Sequence, residues 1–154
     1  MIKINVIISN TKWCRYIKIP SNYIDRKITK LNRLNKKFKK KILFLTILLS
    51  CNKEIKLLNK KFRNKNKTTD ILSFPFYNKK DLKINLKKEK EIYLGDIIIN
   101  LDKVKFKKNL TSFKFEFDKL WIHGLTHLFG HDHKRERDFK KMNKEEKNYL
   151  KYIK

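Results

Sequence analysis

Four histidines, His123, His127, His131 and His133, lie close together late in the chain, and the first two interrupt a stretch that is otherwise apolar. From Phe113 to Phe129 the sequence reads as one helix, with Leu120, Trp121, Ile122, Leu125, Leu128 and Phe129 spread around its circumference. A helix that is apolar nearly all round must be buried, so other elements have to enclose it. Residues at i and i+4 share a helical face, so His123 and His127 can direct their imidazoles at one divalent ion. Two partly buried imidazoles need partners to offset their desolvation, and a metal supplies both at once. Gly130 is expected to end the helix in the left-handed conformation and turn the chain back. That turn brings His131, Asp132 and His133 near the pair, and any of the three is a candidate third ligand. An Asp would give the two-His, one-carboxylate set of non-haem iron, whereas three imidazoles with one position open is a catalytic zinc arrangement.

The elements around this helix follow from periodicity. Ile2 to Ser9 alternates as a first strand, and Pro20-Ser21 opens a helix whose apolar positions, Ile24, Ile28, Leu31, Leu34 and Phe38, recur at helical spacing. Ile42 to Leu49 is continuously apolar, as a buried central strand is. A second helix is expected through Phe62, capped by Ser50 or Asn52, with Ile55, Leu57 and Leu58 inward. Arg63 to Thr69 reads as a loop, and Asp70 to Phe76 as a strand whose Pro75 suits an edge. Tyr77 to Lys90 reads as a Lys-rich surface loop. Glu91 to Asn100 is the fourth strand, with Gly95 marking a bulge or a close backbone approach. A short helix is expected from Asn100 or Leu101 through Lys107, and a last one over Glu136 to Tyr152, with Phe139, Met142, Tyr149 and Leu150 for packing. The 154 residues, 40% of them hydrophobic, can bury a core. No repeat or linker divides them. The expectation is one α+β domain over residues 1–154, a small four-stranded mixed sheet packed with about five helices, with a zinc site at the end of the buried one.

The formal charge of +26 attracts polyanions, nucleic acid first among them. Most of the excess is Lys, accompanied by Ile, Asn and Phe, so AT-rich codon usage accounts for part of it. Arg is confined to Arg15, Arg26, Arg33, Arg63, Arg135 and Arg137. Cys14 and Cys51 form no metal-binding or disulfide pattern. With no membrane-length apolar run and no signal-peptide pattern, a reduced cytoplasm is the expected setting.

In the helical zinc signature HExxH, a Glu beside the first His is the general base of a peptidase. Here Gly124 stands in that place, which disfavours peptide hydrolysis and favours a substrate that carries its own charge, such as a phosphodiester. The run His123-Gly-Leu-Thr-His127-Leu-Phe-Gly130-His131-Asp132-His133 resembles the HGxLHLxGYDH signature of the YbeY family of endoribonucleases. Leu58 to Phe76 is similar to that family's LNxxYRxKDxxTDVLSFPF stretch, and Leu94-Gly95-Asp96-Ile97 to its LGDI/V strand. The resemblance implies a metal-dependent, single-strand-specific endoribonuclease acting in 16S rRNA 3′-end maturation and ribosome quality control. Its partners would be single-stranded ribosomal RNA, the small ribosomal subunit and an assembly GTPase, with no DNA and no membrane.

On the same resemblance the metal ligands are His123, His127 and His133 and the functional arginine is Arg63. The pattern departs at His131, where Tyr is usual, at Thr126, where Leu is usual, and at Asn66, where Asp is usual. Zinc on three imidazoles activates water near neutral pH or polarises a phosphoryl oxygen, while Arg63 offsets developing phosphate charge. Asp132 reads either as an acceptor that orients a histidine or as a polar turn residue, Asp70, Ser73 and Asp96 read as structural, and Phe74, Phe76 and Tyr77 are candidates for stacking bases. A non-catalytic, zinc-stabilised RNA-binding assembly factor is the alternative reading of the same features.

Overall fold

The computed structural model describes residues 1–34 and 40–154. Four strands, β1 (Ile2–Ile8), β2 (Ile42–Ser50), β3 (Ile71–Pro75) and β4 (Glu91–Asn100), form one sheet in the order β1-β2-β4-β3. β1, β2 and β4 run parallel, and β3 closes the edge antiparallel to β4. The mixed α+β sheet expected from periodicity is therefore present, with Pro75 at the end of an edge strand, where its missing N–H costs no ladder bond.

Alternation divides the sheet into two faces. Leu43, Leu45, Ile47 and Leu49 of β2 are at most 1% exposed and point into the main core, while Phe44, Thr46 and Leu48 between them are half-buried on the other face. Two helices lie against the first face, α1 (Pro20–Leu34), through Ile24, Ile28 and Leu31, and α4 (Leu110–Leu128), through Phe113, Phe117, Trp121 and Leu125, while α5 (Glu136–Ile153) packs on both. The turn of α1 expected to reach Phe38 lies outside the described residues. On the opposite face α2 (Asn52–Arg63) is the one helix that packs among the described residues, burying Ile55 with Leu72 and Ile98.

The helix that carries the histidines is fixed from several sides. Buried Asp118 accepts hydrogen bonds from Tyr23 Oη (3.0 Å) and Trp121 Nε1 (3.0 Å), and its other neighbour is Lys27 Nζ at 2.9 Å, so α4 is tied to α1. A buried carboxylate is tolerated because these donors replace its water. On the sheet side Gly124 touches β4: a Cβ there would come within 2.8 Å of the Ile97 side chain. Gly95, at φ 131°, sits where the β2–β4 register slips, and a Cβ would meet the Phe74 carbonyl oxygen at 2.1 Å. The bulge and the close approach expected at Gly95 are both real.

Several local expectations are corrected. The stretch from Tyr77 to Lys90 is not a loop but contains α3 (Lys79–Lys88), opened by Asn78, whose side chain accepts from the backbone of Lys80 and Asp81, and anchored by buried Leu82. Its apolar residues, Leu82, Ile84 and Leu86, alternate rather than follow a helical period, so periodicity missed it while the cap did the specifying. The helix expected through Lys107 is one 3-10 turn, Leu101–Lys103. Cys51, not Ser50 or Asn52, is the N-cap of α2, and the Asp102 carboxylate, 2.7 Å from the Asn52 backbone N–H, supplies the missing acceptor from across the sheet. Leu57 and Phe139 face solvent. A 3-10 turn at Thr11–Arg15 also seats the fully buried Trp13, whose Nε1 donates to the Ser50 carbonyl at 3.0 Å.

Candidate metal centre

The end of α4 builds the site by closing itself. Gly130, at φ 79°, donates to the His127 carbonyl (2.8 Å), and the His131 N–H donates to the Thr126 carbonyl (3.1 Å). This pairing satisfies the last helical carbonyls with a left-handed residue just past the end. It also delivers the His131 carbonyl to His127 Nδ1, 3.0 Å away. One turn back, His123 Nδ1 is 2.7 Å from Glu146 Oε1 on α5. A carbonyl and a carboxylate accept only, so each ring carries a proton on Nδ1, which leaves Nε2 as the lone-pair nitrogen of the neutral imidazole.

Those two Nε2 atoms face each other at 3.1 Å. In the neutral rings two lone pairs meet there and repel, and a shared cation resolves the conflict. Nitrogen ligands at 2.0–2.1 Å around a tetrahedral ion stand roughly 3.4 Å apart, close to the spacing present. His133, carried round by the bend, completes the set, with one ligand atom from each of the three residues within 4.8 Å of the others. The donor set and its tautomers therefore fit a zinc-like ion. Burial holds the His127 imidazole down at about 4, with the repulsion of His123 adding to it, so the ring is neutral at physiological pH as a ligand must be.

His131 is not in this group, although it lines the same pocket and its main-chain carbonyl faces His127. The orienting role considered for Asp132 belongs elsewhere, because its carboxylate accepts from the His133 backbone N–H (2.7 Å) and lies 3.5 Å from Lys134 Nζ, both within the turn. Glu146 does the orienting, with the hydroxyl of buried Thr126 3.5 Å from the same oxygen. Glu146 escaped the sequence reading, yet a signal existed. It falls on the inward stripe of α5 with Met142, Tyr149 and Ile153, and a carboxylate on an apolar stripe calls for a partner.

Arg63, the last residue of α2, reaches the histidines across the β3 edge. The left-handed Asn64 ends the helix, Arg63 Nη2 donates to the Ser73 carbonyl (2.9 Å), and the guanidinium lies over the Phe74 ring at 5.5 Å. Arg63, His123, His127 and His133 line one open pocket of 1020 Å³, with Lys65, Lys79 and Lys134 among its walls. Asp70 caps the start of β3, accepting from the Ile71 backbone, and Asp96 accepts from Tyr93 on the far face of the sheet. Gly124 explains why no glutamate follows His123: that position faces Ile97 in the core, not the pocket.

A family model described as Endoribonuclease YbeY matches residues 8–154. The chain belongs to the YbeY family. Among curated members, the Pelagibacter ubique protein is 48% identical, with all of this chain and 97% of the relative aligned. A Buchnera aphidicola member, from the Schizaphis graminum strain, is 36% identical over 98% of this chain and 91% of its own length. Both carry the name endoribonuclease YbeY. A solution structure of a Thermotoga maritima protein shares the fold, with a TM-score of 0.61 over 98% of this chain and 89% of that one, at 24% identity. Among the described residues no helix is long and apolar enough to cross a membrane.

Proposed function

We propose that this chain is a metal-dependent endoribonuclease, with zinc as the ion, that cuts single-stranded RNA in the pocket shared by Arg63 and the three histidines. The observation that carries the reading is the convergence of His123, His127 and His133, two of whose Nε2 atoms face each other at 3.1 Å, at the floor of a lysine-walled pocket. Membership of a family named for endoribonuclease activity supports it. A bound zinc would supply Lewis acidity toward a phosphoryl oxygen or an activated water.

The remaining work falls to the protein's own groups. Glu146 and the His131 carbonyl hold the Nδ1 protons, so that His123 and His127 present Nε2 without reorientation. Arg63 spends one nitrogen on Ser73, which leaves the rest of its planar fork for a non-bridging phosphate oxygen, and Phe74 keeps the plane from rotating. Lys65, Lys79 and Lys134 draw neighbouring phosphates to the walls. In the cell we assign the chain to the cytoplasm and to 16S rRNA 3′-end maturation and ribosome quality control, in contact with the small subunit and an assembly GTPase.

The test is cleavage of a single-stranded RNA carrying the 16S 3′ end. Arg63→Ala should lower kcat/KM by about 10²–10³, the usual loss for a donor aimed at developing oxyanion charge, with metal content unchanged. Arg63→Lys should recover little of it, since a point charge lacks the fork. If Arg63→Ala leaves both cleavage and RNA affinity untouched, the enzyme reading fails and a metal-stabilised binding factor takes its place.

A further inference from the structure

Among the described residues, the sheet face opposite the main core is only partly covered. α2 shields the end where Leu48, Ile98 and Leu72 lie side by side, and the next rows of the same face stay open. Register puts Lys3, Phe44 and Tyr93 in line across β1, β2 and β4, and Phe76 follows β3 at the same end. Phe76 is 64% exposed, and Phe44 and Tyr93 are partly so. The rings of Phe76 and Tyr93 meet edge to face, at an interplanar angle of 72° with centroids 5.7 Å apart, so each keeps a face of its own, and Lys3 Nζ sits 5.7 Å over Phe44. Two of the residues named from the sequence as base platforms are engaged elsewhere: Phe74 is clamped between Phe62 and Arg63, and Tyr77 packs against the core.

We propose that Phe76, Tyr93 and Phe44 form an aromatic shelf on which bases of a single RNA strand stack after it leaves the metal pocket over the free edge of β3. The proposal rests on the RNA reading of that pocket and extends it. Continuity is the first argument. Pro75 and Tyr77 line the pocket while Phe76 between them belongs to the other face, and its ring meets Tyr77 at 4.9 Å, so one side chain's width of strand edge separates the two surfaces. Spacing is the second, since rings on adjacent strands repeat at about 5 Å, a step that a flexible single strand can follow with successive bases.

Charge is the third argument. Lys3 on β1 lies over the Phe44 ring and Arg63 over Phe74, one row along the same face, in a chain with 41 basic and 15 acidic residues. Protein interfaces are depleted in lysine, whereas single-strand surfaces combine aromatic rings with lysine and arginine. The acids on this face are Glu91 at the start of β4 and Asp96. The Asp96 carboxylate accepts the Tyr93 hydroxyl, which steadies that ring against the sheet.

The experiment compares binding of two unstructured RNAs, one of about four nucleotides and one of about 12, by fluorescence anisotropy. The wild type should prefer the longer RNA. Phe76→Ala, whose exposed side chain contributes little to folding, should weaken the longer RNA roughly five- to 100-fold and erase most of that preference, and Phe76→Tyr should restore it. Phe44→Ala should act in the same direction. A preference for length undiminished in Phe76→Ala overturns the shelf. So does a concentration-dependent dimer of the wild type that Phe76→Ala disperses, which would give this face to a second copy of the chain. If the wild type binds neither RNA, the nucleic-acid reading of the pocket itself fails, an outcome distinct from either of these.

Discussion

Replacing Glu146 tests how the metal centre is held. Its carboxylate is 2.7 Å from His123 Nδ1, with the two side chains 25% and 31% exposed. A hydrogen bond to a charged group contributes about 1.5–3 kcal/mol, and partial exposure favours the lower half of that range. The bond strengthens when Nε2 donates to a cation, so most of its loss should appear in metal affinity. Glu146→Ala should therefore weaken zinc binding roughly 10- to 30-fold, within the range seen when the outer partner of a liganding histidine is removed. Glu146→Gln keeps an acceptor oxygen and loses the charge, and should fall between the two. Competition against a chromophoric chelator at constant pH measures the affinities, with Glu145→Ala as the control that removes the same charge one residue away. Equal affinities for Glu146→Ala and Glu145→Ala would refute the orienting role and reduce the contact to a surface ion pair.

Gly124→Ala should destabilise the protein by up to about 2 kcal/mol in urea denaturation, because the new methyl meets the buried Ile97 side chain and an overpacking cost of about 1–3 kcal/mol outweighs the gain of about 1 kcal/mol in helix propensity. In an Ile97→Ala background the same substitution should become stabilising, and a sign that does not reverse would contradict close packing of α4 on β4. The depressed His127 sets a pH window. Its folded value of about 4 lies below the ordinary 6.5, so between them the unfolded chain binds more protons. The metal-free protein should keep its full stability above about 6.5 and lose it progressively as pH falls towards 4, and His127→Gln should flatten that part of the profile.

Much of the site was legible because its residues obey local rules. The i, i+4 histidines need only a helix, Gly130 needs only a helix end, and Gly95 announces a backbone crowded by its neighbour. The place of Arg63 in the pocket wall is signalled only by family resemblance, since nothing local marks the last residue of a helix as facing a pocket. Glu146 and the His131 carbonyl were missed for one reason. Their roles arise from α5 and the closing turn folding onto α4, and tertiary contacts of this kind leave only a faint trace, a carboxylate on an apolar stripe. α3 shows the reverse error, in which a charged composition masked a helix that the Asn78 cap specifies. The open end of the sheet was equally hidden, because alternation tells which residues share a face and not whether a helix covers them.

The central claim is that His123, His127 and His133 together hold one ion. Elemental analysis of the wild type and of His127→Ala, purified side by side without added chelator, tests it most directly. The wild type should carry close to one equivalent of zinc and the variant almost none, with the variant still folded. The same metal content in both, or none in a wild type that cleaves RNA, would contradict the claim.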